Sequence, residues 1–265
     1  MTRPFSAIQI WNSFLKIIPY FGVTFGVVTG TVILGLAIAV LLFVWKLSRH
    51  RILNVLSDVY INIIRCTPAI VLLFIVYYGI PKLFDGLFGI NLNFAPKIIY
   101  VIISLSLLYA SSLTEIMRSV WLAMGKSQYE AALSVGMTPW QAIFRIMVPQ
   151  GIVIALPNLG NSLIALFKEG SLAFTIGLID MMGQGNLIIS RNYGAYSLET
   201  YIALAVIYWA LTLIIEQIFN KLELELGAGR LVGTNGKPGT DSGTGTGVPG
   251  RVNAGILKKG ARQEA

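Results

Sequence analysis

The stretch Ile17–Trp45, IIPYFGVTFGVVTGTVILGLAIAVLLFVW, contains no charged residue over about 29 positions. An α-helix needs roughly 20 apolar residues to cross the hydrocarbon core of a bilayer, because each residue advances the helix by only about 1.5 Å. The stretch therefore predicts a transmembrane helix, and it indicates an integral membrane protein.

The composition of the whole chain supports this class. Of the 265 residues, 55% are hydrophobic and 12% are charged, whereas charged residues make up about 25% of a typical soluble domain. The net charge of +8 does not indicate a nucleic-acid partner, because the basic residues lie in loops and in the C-terminal part. The single cysteine, Cys66, allows neither an internal disulfide nor a cysteine-based metal site. We expect no metal and no cofactor.

Two further apolar segments follow the first. The second, Val59–Leu83, carries Arg65 near its start and a Thr-Pro step that predicts a kink. The third, Ile98–Ala123, contains Glu115 and Arg118 near its end. Their spacing of three residues places both on one helical face, where they can neutralise each other.

The fourth apolar segment is interrupted. Ile152–Phe167 is followed by Lys168 and Glu169 and then by Gly170–Ile179, which is too short to cross a bilayer alone. We expect either one broken fourth span or a span followed by a re-entrant piece. With a fifth span at Thr200–Phe219, the predicted fold class is all-α integral membrane with about five transmembrane helices.

The loops predict how the chain is oriented, because cytoplasmic loops of membrane proteins carry an excess of Lys and Arg. The basic residues after the first, third and fifth spans are Lys46, Arg49, Arg51, Arg118, Lys126, Arg145, Lys221 and Arg230. The alternate loops hold only Lys82, Lys97 and Arg191. The prediction is a multi-pass membrane protein with its N-terminus outside and its C-terminus in the cytoplasm.

Two regions flank the expected transmembrane domain at residues 20–222. Residues 1–19 predict a helix lying in the membrane interface, because apolar side chains recur there at helical spacing, namely Phe5, Ile8, Trp11, Leu15 and Ile18. Residues 223–265 are mostly rich in Gly and Thr and predict a disordered tail. A solvated tail is favoured over one held on anionic lipid.

Between the third and fourth spans, residues 127–150 read SQYEAALSVGMTPWQAIFRIMVPQ. Ser127 precedes Glu130 by three residues, and Thr138 precedes Gln141 by three, so both pairs match the capping box that begins a helix. Gly136 suits the left-handed turn that ends a helix. The pattern predicts a hairpin of two short helices.

Two prolines complete this hairpin. Pro139 fits the first position of the second helix, and Pro149 is predicted to end that helix. One interpretation is a well-capped connecting loop in which Glu130 serves only its cap. The other is a docking surface for a second protein, since Ala131 and Ala132 would let that protein approach closely.

Four motifs resemble those of ATP-binding-cassette importer permeases. EAALSVGMTPWQAIFRIMVPQ is similar to the cytoplasmic EAA loop of these permeases. Within the polar amino acid permeases, the second span resembles IRCTPAIVLLFIVYYGIP, the third-span exit resembles EIMRSVWLAMGKSQYEAA, and the fourth span resembles LPNLGNSLIALFKEGSLAFTIG. The resemblance covers roughly residues 21–222 and implies the importer permease (MetI-like) fold, with the coupling loop at residues 125–150.

The resemblance implies a role within an assembly. A second permease subunit would form a homodimer or a related heterodimer with this chain in the membrane lipid. Cytoplasmic ATPase subunits would hydrolyse ATP, and an extracellular or periplasmic binding protein would deliver the substrate. The sequence lacks a GxxxxGK[ST] phosphate loop, so the chain itself is not expected to be an enzyme. The family's ATPase-coupling positions correspond to Glu130, Ala131, Ala132 and Gly136.

Polar residues of the fourth span are candidates for the substrate pathway. Ionisable groups inside a membrane segment are energetically costly, and they commonly mark a pathway or a partner within the bundle. The candidates are Asn158, Asn161, Ser162, Lys168, Glu169 and Ser171. Helix breaks expected at Pro157, Gly160 and Gly170 would be tolerated where they line a cavity. Hydrogen bonding between helices is the alternative role for the amides and hydroxyls.

The resemblance leaves the substrate open. The family usually has Gly or Ser where this chain has Cys66, and commonly Asp-Thr where it has Glu169-Gly170. The fourth span and the ending LETYIALAVIYWALTLIIEQIFNKLE are most similar to permeases for cystine and related sulphur amino acids. An ion-coupled secondary transporter or channel, with Glu169 as coupling group, is the alternative function, and a structural scaffold is a third. A secondary transporter has no need of a docking helix, and a scaffold leaves the broken, polar fourth span unexplained.

Overall fold

The structure, a computed structural model, describes residues 5–48 and 50–231, and all the regular secondary structure in this part of the chain is helical. The α-helices are α1 (Ala7–Ile17), α2 (Phe21–Leu47), α3 (Arg51–Cys66), α4 (Ala69–Phe88), α5 (Lys97–Ser134), α6 (Pro139–Ala142), α7 (Val148–Gly170), α8 (Met181–Arg191) and α9 (Ser197–Leu231). Short 3-10 helices occupy Ile18–Tyr20 and Ser171–Ile176, and a π-helical segment occupies Ile143–Met147.

Five helical segments in the described residues are long and apolar enough to cross a membrane. They are Ala7–Leu47, Ala69–Phe88, Lys97–Gly125, Pro139–Ile176 and Ser197–Leu226. The predicted all-α membrane fold with five spans is thereby confirmed.

The second span differs from the prediction of one kinked helix over Val59–Leu83. α3 ends at Cys66 and α4 begins at Ala69, while Thr67 and Pro68 between them have extended backbone. Proline lacks an N–H and disfavours helical backbone at the residue before it. The Thr-Pro step therefore separates two helices instead of bending one.

The fourth span is broken at Gly170, one of the three predicted positions, and is not broken at Pro157 or Gly160. α7 continues through Pro157 and Gly160, and regular α-helix ends only at Gly170, where the 3-10 segment begins. Neighbouring helices can satisfy the backbone group that a proline leaves free in a membrane helix. Gly160 has a packing role, because an added Cβ would lie 3.0 Å from Cγ of Phe219.

Two boundaries predicted for the hairpin are wrong. Helical backbone in α5 is interrupted at Gly125 (φ 69°, ψ 167°) and resumes directly after it, and no hydrogen bond links the side chains of Ser127 and Glu130 to each other's backbone in the described residues. That φ/ψ region is essentially restricted to glycine, so Gly125 sets the start. Pro149 does not end a helix either. It lies in the first turn of α7, where the preceding π-helical segment carries the chain into the span.

The last helix is longer than predicted. α9 continues past Lys221 to Leu231, so the expected boundary at residue 223 falls inside it. The segment around Lys221 contains good helix formers, and Lys221 forms an ion pair of 3.8 Å with Glu225 one turn on. Residues 232–265 of the predicted tail lie outside the described residues.

α5 is the central helix of the bundle and packs against α2, α3, α4 and α7. Its contact with α2 includes buried hydroxyls: that of Ser106 donates to the carbonyl of Thr31 at 3.3 Å, and that of Thr114 contacts the carbonyl of Ala39 at 3.4 Å. Small side chains let two membrane helices approach closely. α9 packs against α7 and also contacts α1.

The N-terminal helix packs on the bundle with one face. Ile17 is fully buried, and the hydroxyls of Ser13 and Thr200 are 3.3 Å apart. The opposite face is exposed and carries the residues of the predicted apolar stripe, Phe5, Ile8, Trp11, Leu15 and Ile18. The position of this helix in the membrane interface remains a prediction.

Candidate functional site

The turn of the hairpin, residues 125–150, is specified by its own sequence. Gly136 has a φ of 85°, as predicted. Its N–H donates to the carbonyl of Leu133 at 3.0 Å, and the N–H of Met137 donates to the carbonyl of Ala132 at 3.2 Å. These two bonds form a Schellman motif, which satisfies carbonyls at the end of a helix.

The helix after the turn begins with the predicted capping box. The hydroxyl oxygen of Thr138 accepts from the N–H of Gln141 at 3.3 Å, and Oε1 of Gln141 accepts from the N–H of Thr138 at 3.0 Å. Pro139 occupies the first turn of α6, where no N–H is needed. Turn and cap together hold the hairpin in one conformation.

Three of the four expected coupling residues lie on the surface of the hairpin. Glu130, Ala131 and Gly136 are exposed, whereas Ala132 is only 3% exposed and packs inside. Ala132 therefore supports the hairpin from within and has little surface to offer a partner.

The hairpin also presents apolar side chains that the motif did not indicate. Val135 and Trp140 are 75% and 71% exposed, and the rings of Trp140 and Phe144 stack with their centroids 5.7 Å apart. Contiguous exposed apolar surface commonly marks a protein interaction site. The large apolar residues in the short hairpin sequence are the signal that could have indicated this exposed surface.

The polar residues of the fourth span fall into two groups. Asn158, Asn161 and Lys168 are exposed and lie on one face of α7. Ser162 is half-buried and hydrogen-bonds the hydroxyl of Tyr109 on α5. The structure thus brings three of the candidates together and ties Ser162 to a neighbouring helix.

The end of α7 holds the remaining candidates. Glu169 is half-buried, and the Ser171 hydroxyl donates to the carbonyl of Lys168 at 2.6 Å. Within the part of the chain that the structure describes, neither Lys168 nor Glu169 takes part in an ion pair. Two charges in a membrane span are therefore available to a ligand or a second subunit.

Sequence reasoning missed a buried carboxyl group between the fourth and fifth spans. Asp180 is 1% exposed, and its Oδ1 accepts from the N–H of Gly183 at 2.8 Å, which caps α8. Its Oδ2 and the buried hydroxyl of Tyr208 have no hydrogen-bond partner among the described residues. Burial raises the pKa of Asp180 to about 6, although hydrogen bonds from backbone N–H groups lower it in part. Asp is a preferred residue at the start of a helix, so Asp180 directly before Met-Met-Gly was the signal that could have predicted the cap of α8.

A cluster of four charges joins the end of α2 to the middle of α3 and of α5. Nζ of Lys46 lies 2.6 Å from Oδ1 of Asp58 and 3.2 Å from Oε1 of Glu115. Nη2 of Arg118 lies 2.8 Å from Oε2 of Glu115, so the predicted pairing within α5 is confirmed. The contribution of Lys46 was not predicted, because it comes from another helix.

The fold and these sites match those of a known family. Residues 31–224 match the family described as the binding-protein-dependent transport system inner membrane component. The chain belongs to this family. Among its relatives is the L-cystine transport system permease protein TcyL of Bacillus subtilis, which is 36% identical over 223 residues, covering 84% of this chain and 92% of TcyL.

Solved structures agree with this membership. A crystal structure of an amino acid ABC transporter with histidines matches with a TM-score of 0.67 and 31% identity, covering 85% of this chain and 100% of that chain. The MetNI methionine ABC transporter in an inward-facing conformation matches with a TM-score of 0.61 and 19% identity, covering 84% and 99%. The second likeness supports the MetI-like fold alone.

Proposed function

We propose that this chain is the permease subunit of an ATP-binding-cassette importer for amino acids, and that the hairpin couples it to an ATPase subunit. The observation that carries the proposal is the hairpin itself. A locally specified turn leaves Glu130, Ala131 and Gly136 exposed beside the uncovered rings of Trp140 and Phe144. A loop that only joined two spans would not need this much exposed apolar surface.

The partners follow from this role. ATP hydrolysis is assigned to cytoplasmic ATPase subunits that receive the hairpin, and substrate delivery to an external binding protein. The basic residues Lys46, Arg118 and Arg145 adjoin the hairpin side of the bundle, which supports a cytoplasmic hairpin under the positive-inside rule. The N-terminus then lies outside the bacterial cell membrane and the C-terminus in the cytoplasm.

The exposed face of α7 is the proposed lining of the translocation pathway. Asn158, Asn161 and Lys168 would be costly against lipid, so a second permease subunit or a water-filled path faces them in the assembly. That subunit is either another copy of this chain or a related chain. Ser162 and Ser171 contribute hydroxyls near the same face.

The substrate class fits the charges at the end of α7. An amino acid carries an α-carboxylate and an α-ammonium group, two of each in cystine, and Lys168 can bind a carboxylate and Glu169 an ammonium group. Cystine is the favoured substrate, supported by the similarity to TcyL over most of both chains.

Substitution of Gly136 tests the coupling role. In Gly136→Val a β-branched residue must adopt a φ of 85°, at a cost of roughly 1–3 kcal/mol, and the turn is misdirected. We expect substrate-stimulated ATPase activity and uptake to be lost in complexes reconstituted with the ATPase subunit and binding protein. Glu130→Ala should have a smaller effect, because it leaves the turn intact.

Gly86→Val is the matched control. Gly86 lies in α4, has ordinary helical backbone, and an added Cβ there meets no atom within 4 Å. If Gly136→Val copurifies with the ATPase and transports at the wild-type rate, the hairpin is an ordinary connecting loop. Uptake that needs an ion gradient and no ATP would instead favour a secondary transporter.

A further inference from the structure

We infer that Lys46 is a positioning residue that makes α3 move together with the end of α5 that carries the hairpin. When the hairpin moves, α3 would then also move the helix break at Thr67 and Pro68 in the second span. The inference rests on the coupling function proposed above and extends it to specific residues.

The geometry makes Lys46 the shared member of the charge cluster. Arg118 occupies Oε2 of Glu115 through both Nε at 3.0 Å and Nη2 at 2.8 Å. Oε1 of Glu115 is left for Lys46, whose Nζ also contacts Asp58. The side chains of Lys46 and Glu115 are only 17% and 21% exposed, so water screens their contact less than it screens a surface pair, whereas the Asp58 side chain is 47% exposed. One ammonium group from α2 thus holds carboxylates from α3 and α5.

The cluster lies on the path from the hairpin into the span. Glu115 precedes the interruption of α5 at Gly125 by about 15 Å of helix. α3 is joined to the same helices by two more bonds, from the Ser57 hydroxyl to the Leu42 carbonyl at 3.2 Å and from the Tyr60 hydroxyl to the Leu107 carbonyl at 2.9 Å. α3 is therefore fastened to α2 and α5, and the extended step after Cys66 separates it from α4.

The break in the second span lies at about the depth of the candidate pathway. On α5, Tyr60 bonds the carbonyl of Leu107, and Ser162 of α7 bonds Tyr109, two residues away. Thr67 follows Tyr60 by about two helical turns in the same direction that Lys168 follows Ser162. α4 also contacts the 3-10 segment directly after Gly170. A shift of α3 would therefore change the surroundings of Lys168 and Glu169.

The test uses the assembled transporter reconstituted in liposomes, with Lys46→Met, Lys46→Arg and the matched control Lys221→Met. Among the described residues, Lys221 forms an ion pair only with Glu225 of the same helix, so it joins no two elements there. Two quantities are measured: the stimulation of ATPase activity by loaded binding protein, and the rate at which N-ethylmaleimide labels Cys66, followed by mass spectrometry. Cys66 is the single cysteine of the chain and is exposed at the break.

We expect the labelling rate of Cys66 in the wild-type complex to differ between the nucleotide-free and the ATP-trapped states. In Lys46→Met this difference should vanish and substrate stimulation should fall at least about fivefold, the lower end of typical coupling between sites. Lys46→Arg should restore both quantities, and Lys221→Met should leave both unchanged. If Lys46→Met lowers the amount of inserted chain, the same two quantities are measured in Asp58→Asn. This variant keeps the contact between Lys46 and Glu115 and removes the charge on α3.

The inference is overturned if Lys46→Met retains both quantities, or if Cys66 labelling in the wild type does not respond to nucleotide. Failure of the proposed coupling function looks different. In that case Gly136→Val keeps its ATPase stimulation in the same assay, whatever Lys46→Met does.

Discussion

Glu169 and Lys168 are neighbours at the end of α7, and adjacent residues on a helix point in different directions. They therefore do not neutralise each other as Glu115 and Arg118 do. Each charge needs a partner that the described chain does not supply, and this need makes the pair informative about a ligand.

We predict that Glu169→Gln weakens uptake without changing insertion, because the substitution removes the charge and keeps the volume. A hydrogen bond to a charged group contributes about 1.5–3 kcal/mol, so uptake at low substrate concentration should fall roughly tenfold or more. The measurement is initial uptake rate against substrate concentration in proteoliposomes. Glu225→Gln, on the exposed end of α9, is the control. Unchanged kinetics would assign Glu169 to packing.

Asp180 predicts a dependence of stability on pH. Its pKa is about 6 in the folded chain against an ordinary value of 3.8, so the folded state holds the proton more tightly than the unfolded state. Its contribution to stability is therefore largest below about pH 4 and is lost as the pH rises through about 6. Between pH 5 and pH 8 the loss should be about 1–2 kcal/mol.

The substitution Asp180→Asn checks this prediction. The amide oxygen can still accept from Gly183, so the cap of α8 remains while the titrating group is removed. Unfolding temperatures in detergent, measured across this pH range, should show a smaller decline in Asp180→Asn than in the wild type. Equal declines in both proteins would mean that Asp180 does not titrate there.

At the scale of elements, the seam between α2 and α5 depends on close approach. A Cβ added to Gly35 would lie 3.0 Å from Cδ1 of Tyr109 and 3.4 Å from the carbonyl oxygen of Ser106. The hydroxyl of Ser106 also donates to the carbonyl of Thr31 at 3.3 Å. Moving the two helices apart to make room for a side chain at Gly35 would therefore lengthen this hydrogen bond.

Gly35→Val should therefore destabilise the bundle by about 1–3 kcal/mol, the usual cost of overpacking. Gly26→Val, in the same helix, has the same change in helix propensity but meets no atom within 4 Å. The fraction of folded protein after heating in detergent compares the two variants. If both lose the same amount, the seam tolerates the extra volume and its close packing is not required.

At the scale of the whole molecule, the bundle is complete before the C-terminal residues. The last side chains of α9 that join the central core are Ile215 and Phe219, whereas Leu224 and Leu226 are exposed. Deleting residues 227–265 should leave uptake nearly intact, because a segment rich in Gly and Thr buries little apolar surface. Uptake is normalised to the amount of chain in the membrane. A truncated chain that inserts normally and yet transports nothing would contradict this prediction.

The sequence by itself determined the features that depend on neighbouring residues. Apolar length predicted five spans, since the bilayer thickness fixes how many residues a helix needs. The turn at Gly136 and the cap at Thr138 were also predictable, because each is made by bonds within about five residues. The resemblance to importer permeases could also be read from the sequence, because each of the four motifs is a run of consecutive residues.

Only the tertiary structure decided which of the candidate positions break a helix and which polar groups meet. Pro68 separates two helices, whereas α7 runs through Pro157, because the cost of a proline depends on what the neighbouring helices do for its backbone. Lys46 and Glu115 are 69 residues apart in the chain, so their contact exists only once α2 packs on α5. The burial of Ala132 and Asp180 has the same origin, since burial is a property of the packed bundle and not of the local sequence.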